Sequence, residues 1–199
     1  MPTTSEAPQW VLQRLIAVGG ETGPRYEASL YGPTNSLLVS YFPVTDQFMV
    51  KPQGKIRPEF VNDSDATVRA SLDSYHAEVL PRGFGGSEVG VGIPDFIVVK
   101  ATEAKDNDRV LLVVEIKSSD RTAGDAAEQL GNYLAAFSHK NIAGTQEPLF
   151  NVLYGLLIVG KKVQLLTLPI SGEVGISGLL AIDNGAVHAF LKNIATTNM

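Results

Sequence analysis

Apolar positions recur at helical spacing from Trp10 to Val18 and stop at Gly19-Gly20, which predicts a first helix. A second helical pattern runs from Tyr26 to about Phe42, where Pro43 ends it. Gly32-Pro33 interrupts that pattern, so the segment reads either as one kinked helix or as two short ones. Gln47 to Pro52 reads as a short strand, and Ala66 to Leu80 as a helix that Asn62 to Asp65 could cap. Two apolar runs follow, GIPDFIVVK at 92–100 and VLLVVEIKSSD at 110–120. The polar connector ATEAKDND joins them, as in a hairpin. A helix is expected from about Ala123 to His139 and a buried strand from Asn151 to Val159. A turn at Gly160-Lys161, a partner strand from Lys162 to Leu168 and a short C-terminal helix over AVHAFLKNIA complete the chain.

Strands as uniformly apolar as these belong in a sheet covered on both faces. The expected fold class is therefore α/β, one domain over residues 1–199 with a central mixed sheet in a three-layer αβα sandwich. The core spans about residues 26–168, with the first helix and the C-terminal extension added to it.

Composition narrows the function classes. With 44% apolar and 19% charged residues the chain is ordinary for a folded protein, against intrinsic disorder. It has no cysteine, which excludes disulfides and thiolate metal sites. The three histidines, His76, His139 and His188, form no closely spaced pair, against a histidine zinc site. The net charge of −5 does not favour nucleic-acid binding, although a local basic groove can sit on an acidic protein. MPTTSEAPQWVLQ lacks the features of a signal peptide, and VLYGLLIVG is too short to span a bilayer. The expectation is an intracellular protein, cytoplasmic or nuclear, with no membrane partner. The glycine-rich RGFGGSEVGVG at 82–92 leads into a strand and lacks a lysine-bearing phosphate-loop pattern, so it reads as a strand approach.

The two apolar runs carry charge in their middles: Asp95 in the first, Glu115 and Lys117 in the second. Such residues are rarely buried without a partner. Alternation puts Val113, Glu115 and Lys117 on one face of their strand and groups Asp95 with Ile93 and Ile97. If the runs pair as a hairpin, Asp95 comes beside Glu115 with Lys117 near. Two rigid carboxylates suit a magnesium ion, which takes one or two of them and fills its octahedron with water and phosphate. A nearby lysine can polarise a water or meet charge on a phosphorane-like transition state.

Pro94-Asp95, nineteen residues, then Glu115-Ile116-Lys117 resembles the signature of the PD-(D/E)XK nuclease superfamily, the restriction-endonuclease-like fold. Gln129-Leu130-Gly131-Asn132-Tyr133 is similar to the QxxxY motif of its RecB-like branch, with Gln129 and Tyr133 on one helical face. Ala126, Leu130, Leu134 and Phe137 form the apolar stripe beside it. More loosely, RYEASLYGPTNSLL and NVLYGLLIVGKKVQLLTL resemble uncharacterised fungal members, some linked to crinkler-type effector domains.

The resemblance implies an αβββαβ core and a Mg²⁺- or Mn²⁺-dependent nuclease acting on DNA or RNA. It implies Asp95 and Glu115 as metal ligands, with the main-chain carbonyl of Ile116 completing the sphere. Lys117 would orient water or stabilise charge, and Gln129 and Tyr133 would contact phosphate or support the site. An acid from the first core helix is common in the family; Glu27 is the candidate here, with Glu78 and Glu88 as rivals. Family analogy adds a homodimer that cuts two strands.

Plainer readings accompany these. Asp95 could cap a strand end, and Glu115 and Lys117 could form a cross-strand ion pair at the sheet rim. Gln129 and Tyr133 could be ordinary helix surface. Lys161-Lys162 reads as a hairpin turn, and Trp10, Tyr26, Tyr31, Tyr41 and Phe42 as core or docking residues. The acidic charge and the absence of an obvious basic groove motivate a second functional class. In it the chain is a catalytically inactive member of the same fold, binding nucleic acid or protein as an effector module.

Overall fold

A computed structural model describes residues 7–20, 27–53, 94–102, 108–117, 123–140, 152–169 and 172–198, with side chains of the 123–140 segment described as far as Ala135. The expected helix at Ala66–Leu80, the 82–92 segment, Glu78, Glu88, Tyr26 and the side chain of Phe137 lie outside these residues. The described chain is mixed α/β: four helices and one open, mostly antiparallel sheet of seven strands.

Helix α1 (Gln9–Gly19) buries Val11 and Leu15. Trp10 faces outward at 58% exposure, so it is not a core residue. Helix α2 (Ala28–Tyr41) runs through Pro33 without a break. Proline removes one backbone donor from the helix ladder. Leu30 before it and Leu37, Leu38 and Tyr41 after it are all buried, so packing on both sides of Pro33 holds a single helix.

Strands β1 (Phe48–Pro52), β2 (Phe96–Lys100) and β3 (Arg109–Lys117) form an antiparallel meander. The expected hairpin is present, with Phe96 opposite Val114 and an irregularity between Val98 and Val99. Helix α3 (Ala123–Lys140) then crosses over, and β4 (Val152–Val159) pairs parallel to β3. Parallel neighbours require such a crossover, because a tight turn cannot join them. Strand β5 (Lys162–Pro169) returns from β4 through Gly160, whose φ of 58° lies in the left-handed region that glycine adopts without penalty. Two short strands, β6 (Gly175–Ile176) and β7 (Leu180–Ala181), pair with β5, and α4 (Gly185–Thr197) follows.

Alternation along the strands divides the buried core into two clusters. Phe96, Val98, Leu112, Val114, Ile116, Leu156 and Ile158 join residues of α1, α2 and α4. Ile97, Val99, Val113, Leu153 and Leu157 join Ala126, Leu130 and Leu134 of α3. The predicted α3 stripe therefore packs on the sheet. A Cβ on Gly155 of β4 would lie 3.2 Å from both Leu130 and Leu134, so the bare glycine lets α3 approach closely. Each buried aliphatic side chain contributes about 1.5–3 kcal/mol of hydrophobic stabilisation.

Candidate functional site

The end of β3 carries Glu115 and Lys117, which are 2% and 8% exposed. Both lie on the α3 side of the sheet, as their alternation with Val113 requires. Lys117 Nζ donates to Glu115 Oε1 in a salt bridge within the strand. The pair is thus neither cross-strand nor at an open rim. Glu115 Oε2 is buried and has no hydrogen-bond partner among the described residues.

Asp95 occupies the bend just before β2. Continuing the register one step from Phe96–Val114 sets it opposite Glu115. The Asp95 carboxylate completes the end of the ladder: β2 stops short of Ile116, and the Ile116 N–H donates to Asp95 Oδ2 at 2.6 Å. The other oxygen, Oδ1, accepts the hydroxyl of Tyr31. Tyr31 comes from α2, on the opposite side of the sheet from α3, and packs edge-on to Phe96 with ring centroids 5.7 Å apart. The site therefore draws on both faces at one end of β2 and β3.

Glu27, immediately before α2, acts electrostatically on both Asp95 and Tyr31. Tyr31 is one helical turn further on, and sequence reasoning assigned it only to core or docking. Gln129 and Tyr133 do share a face, and Gln129 Nε2 donates to Tyr133 Oη at 2.6 Å. Among the described residues no hydrogen bond links this pair to Asp95, Glu115 or Lys117. Tyr133 instead packs partly against the α3-side core.

The β4–β5 turn lies next to the trio. Val159 pairs with Lys117, and Gly160 N donates to the Lys117 carbonyl at 3.2 Å. Exposed Lys161 and Lys162 follow, the nearest solvent-facing cations in sequence to that contact. The turn is braced: a Cβ on Gly19 of α1 would meet the Gly160 carbonyl at 2.5 Å. The hairpin-turn expectation holds, and the turn sits one strand from the site.

Burial dominates the acid–base behaviour. Desolvation pushes the Asp95 carboxyl above its ordinary value, while Tyr31, the Ile116 N–H and the Lys117 charge offset only part of the rise. Desolvation likewise raises Glu115; the Lys117 bond opposes it and the Asp95 charge adds to it. The Tyr31 hydroxyl is raised by burial first and then by its bond to Asp95. A carboxyl raised in the folded state holds its proton more firmly there than in the unfolded chain. Its contribution is full below the unfolded value of about 4 and is lost as pH rises through the folded value. Urea denaturation from about pH 4 to about pH 7 is therefore expected to show these two groups lowering stability as pH rises. Glu115→Gln flattens that slope; an unchanged slope in the variant would exclude Glu115 as its source.

The donor set fits a hard divalent cation in kind. Asp95 and Glu115 come from neighbouring strand positions, and one buried Glu115 oxygen lacks a hydrogen-bond partner among the described residues. It is a small set: among the described residues no group of three or more His, Cys, Asp or Glu converges. Among those residues, also, no helix is long and apolar enough to cross a membrane. Comparison with protein-family models, curated proteins and solved structures finds no match to this chain.

Proposed function

We propose that the protein is a PD-(D/E)XK-type nuclease that hydrolyses phosphodiester bonds of DNA or RNA with Mg²⁺ or Mn²⁺. The observation that carries this reading is the buried Glu115 Oε2, without a hydrogen-bond partner among the described residues, beside Asp95 and Lys117. An orphaned carboxylate oxygen is costly unless something compensates it, and a cation does so directly. The element order α2-β1-β2-β3-α3-β4, with β4 parallel to β3, supports an αβββαβ core. The core clusters on the two sheet faces support the three-layer αβα arrangement.

On this reading Asp95, Glu115 and the Ile116 carbonyl hold the ion. When bound, it supplies a water of lowered pKa and a Lewis acid for the scissile phosphate. The chain's residues do the rest. Ile116 N–H and Tyr31 fix Asp95. Glu115 aims the Lys117 ammonium at the same end of the sheet, where it orients water and meets charge on the phosphoryl oxygens. Lys161 and Lys162 offer contacts to neighbouring phosphates, a local basic element on an acidic chain. Glu27 adds an acid at the start of α2, and Gln129 and Tyr133 on α3 keep the supporting role that the resemblance implies. A homodimer follows by family analogy.

The test is calorimetric titration of Mg²⁺ and Mn²⁺ into wild type and Glu115→Gln, followed by a cleavage screen of single- and double-stranded DNA and RNA. Binding in the wild type, lost in the variant, is the expected result. A specific observation favours the second reading: both Asp95 oxygens already accept hydrogen bonds, from Tyr31 and Ile116. A non-catalytic binding or effector module would keep that network closed. Absence of metal binding in the wild type would establish that reading over the nuclease.

A further inference from the structure

We propose that Tyr31 is a positioning residue for the metal site, fixing the Asp95 carboxylate in the orientation a divalent cation needs. The inference rests on the metal-dependent reading above. Asp95 is on a bend outside the β2 ladder, so strand pairing does not by itself orient its side chain. Two donors from two different elements do so instead: Ile116 N–H on Oδ2 and the Tyr31 hydroxyl on Oδ1. Each carboxylate oxygen has two acceptor positions, so each keeps one for a cation.

The hydroxyl is itself held in place. Its ring stands edge-on to Phe96, which is 2% exposed, and α2 is anchored by Leu30 and Leu37 in the same core cluster. Any displacement of α2 is thus transmitted to Asp95 through one bond. A neutral donor also suits this position, because it adds no charge to compete with the bound ion. Outer partners of ligating carboxylates typically change metal affinity by about 10- to 100-fold when removed.

Tyr31→Phe keeps the ring and removes only the hydroxyl. Mn²⁺ titration of this variant beside wild type, with urea denaturation of both, separates positioning from simple stapling of α2 to the sheet. The expected result is an Mn²⁺ affinity about tenfold weaker with folding retained. Unchanged affinity, with or without a loss of stability, overturns the positioning role and leaves the nuclease reading intact. No Mn²⁺ binding by the wild type overturns both. Should the variant not fold, Mn²⁺ broadening of the Tyr31 ring protons in the wild type decides: selective broadening supports the inference and its absence overturns it.

Discussion

Urea denaturation of Glu115→Ala is expected to show a loss of about 3–5 kcal/mol, and Lys117→Ala a loss of similar size. The cause is the depth of the pair. Glu115 is 2% and Lys117 8% exposed, and each is the other's ionic partner. Removing either side chain leaves the other buried without its direct ionic partner. The double replacement Glu115→Leu with Lys117→Met removes both charges and fills their volume, so it is expected to recover most of the loss. Single-variant losses below about 1 kcal/mol would mean that the pair behaves as a surface salt bridge. A protein that tolerates the double but not the single changes retains this pair for something other than stability.

The parts of the fold that were legible in the sequence share one property: their pattern and their packing agree. The apolar runs around Asp95 and Glu115 are buried strands, and their alternation correctly separates Val113, Glu115 and Lys117 from Leu112, Val114 and Ile116. Ala126, Leu130 and Leu134 predict the buried side of α3 for the same reason. The elements that escaped have no local signal. Strands β6 and β7 are two residues each, too short for any period, and exist only because β5 offers them an edge. Pro33 argues locally for a break in α2, and burial on both sides overrides it.

At the site, the trio was legible because one strand places Glu115 and Lys117 and one hairpin brings Asp95. Tyr31 was not, because its role depends on α2 lying over the opposite face of the sheet from α3, a tertiary fact. The pairing of Gln129 with Tyr133 follows from their spacing. What that pair faces does not, since helical spacing says nothing about distance to the end of a neighbouring strand.

Asp95→Asn is expected to lower cleavage by at least about 100-fold at saturating Mg²⁺ while leaving the fold intact. This variant separates chemistry from stability better than any change at Glu115. An amide can turn its oxygen toward the Ile116 N–H, and the Tyr31 hydroxyl can rotate to accept from the amide nitrogen, so both contacts survive. Burial already opposes ionisation of Asp95, so loss of its charge relieves a cost near neutral pH. The folded state therefore gains or holds stability as the site loses what the nuclease reading takes to be a ligand charge. Lys117→Met is the complementary change: it removes the ammonium and keeps both carboxylates. On the nuclease reading its cleavage is expected to fall by a similar factor while Mn²⁺ binding weakens less than in Asp95→Asn, because in that reading the lysine meets charge on the substrate and does not ligate. Full activity in a folded Asp95→Asn protein would remove Asp95 from the ligand set. A wild type that binds Mn²⁺ yet cleaves neither DNA nor RNA would point to a cation that only bridges the orphaned Glu115 oxygen, a structural use of the same buried charge.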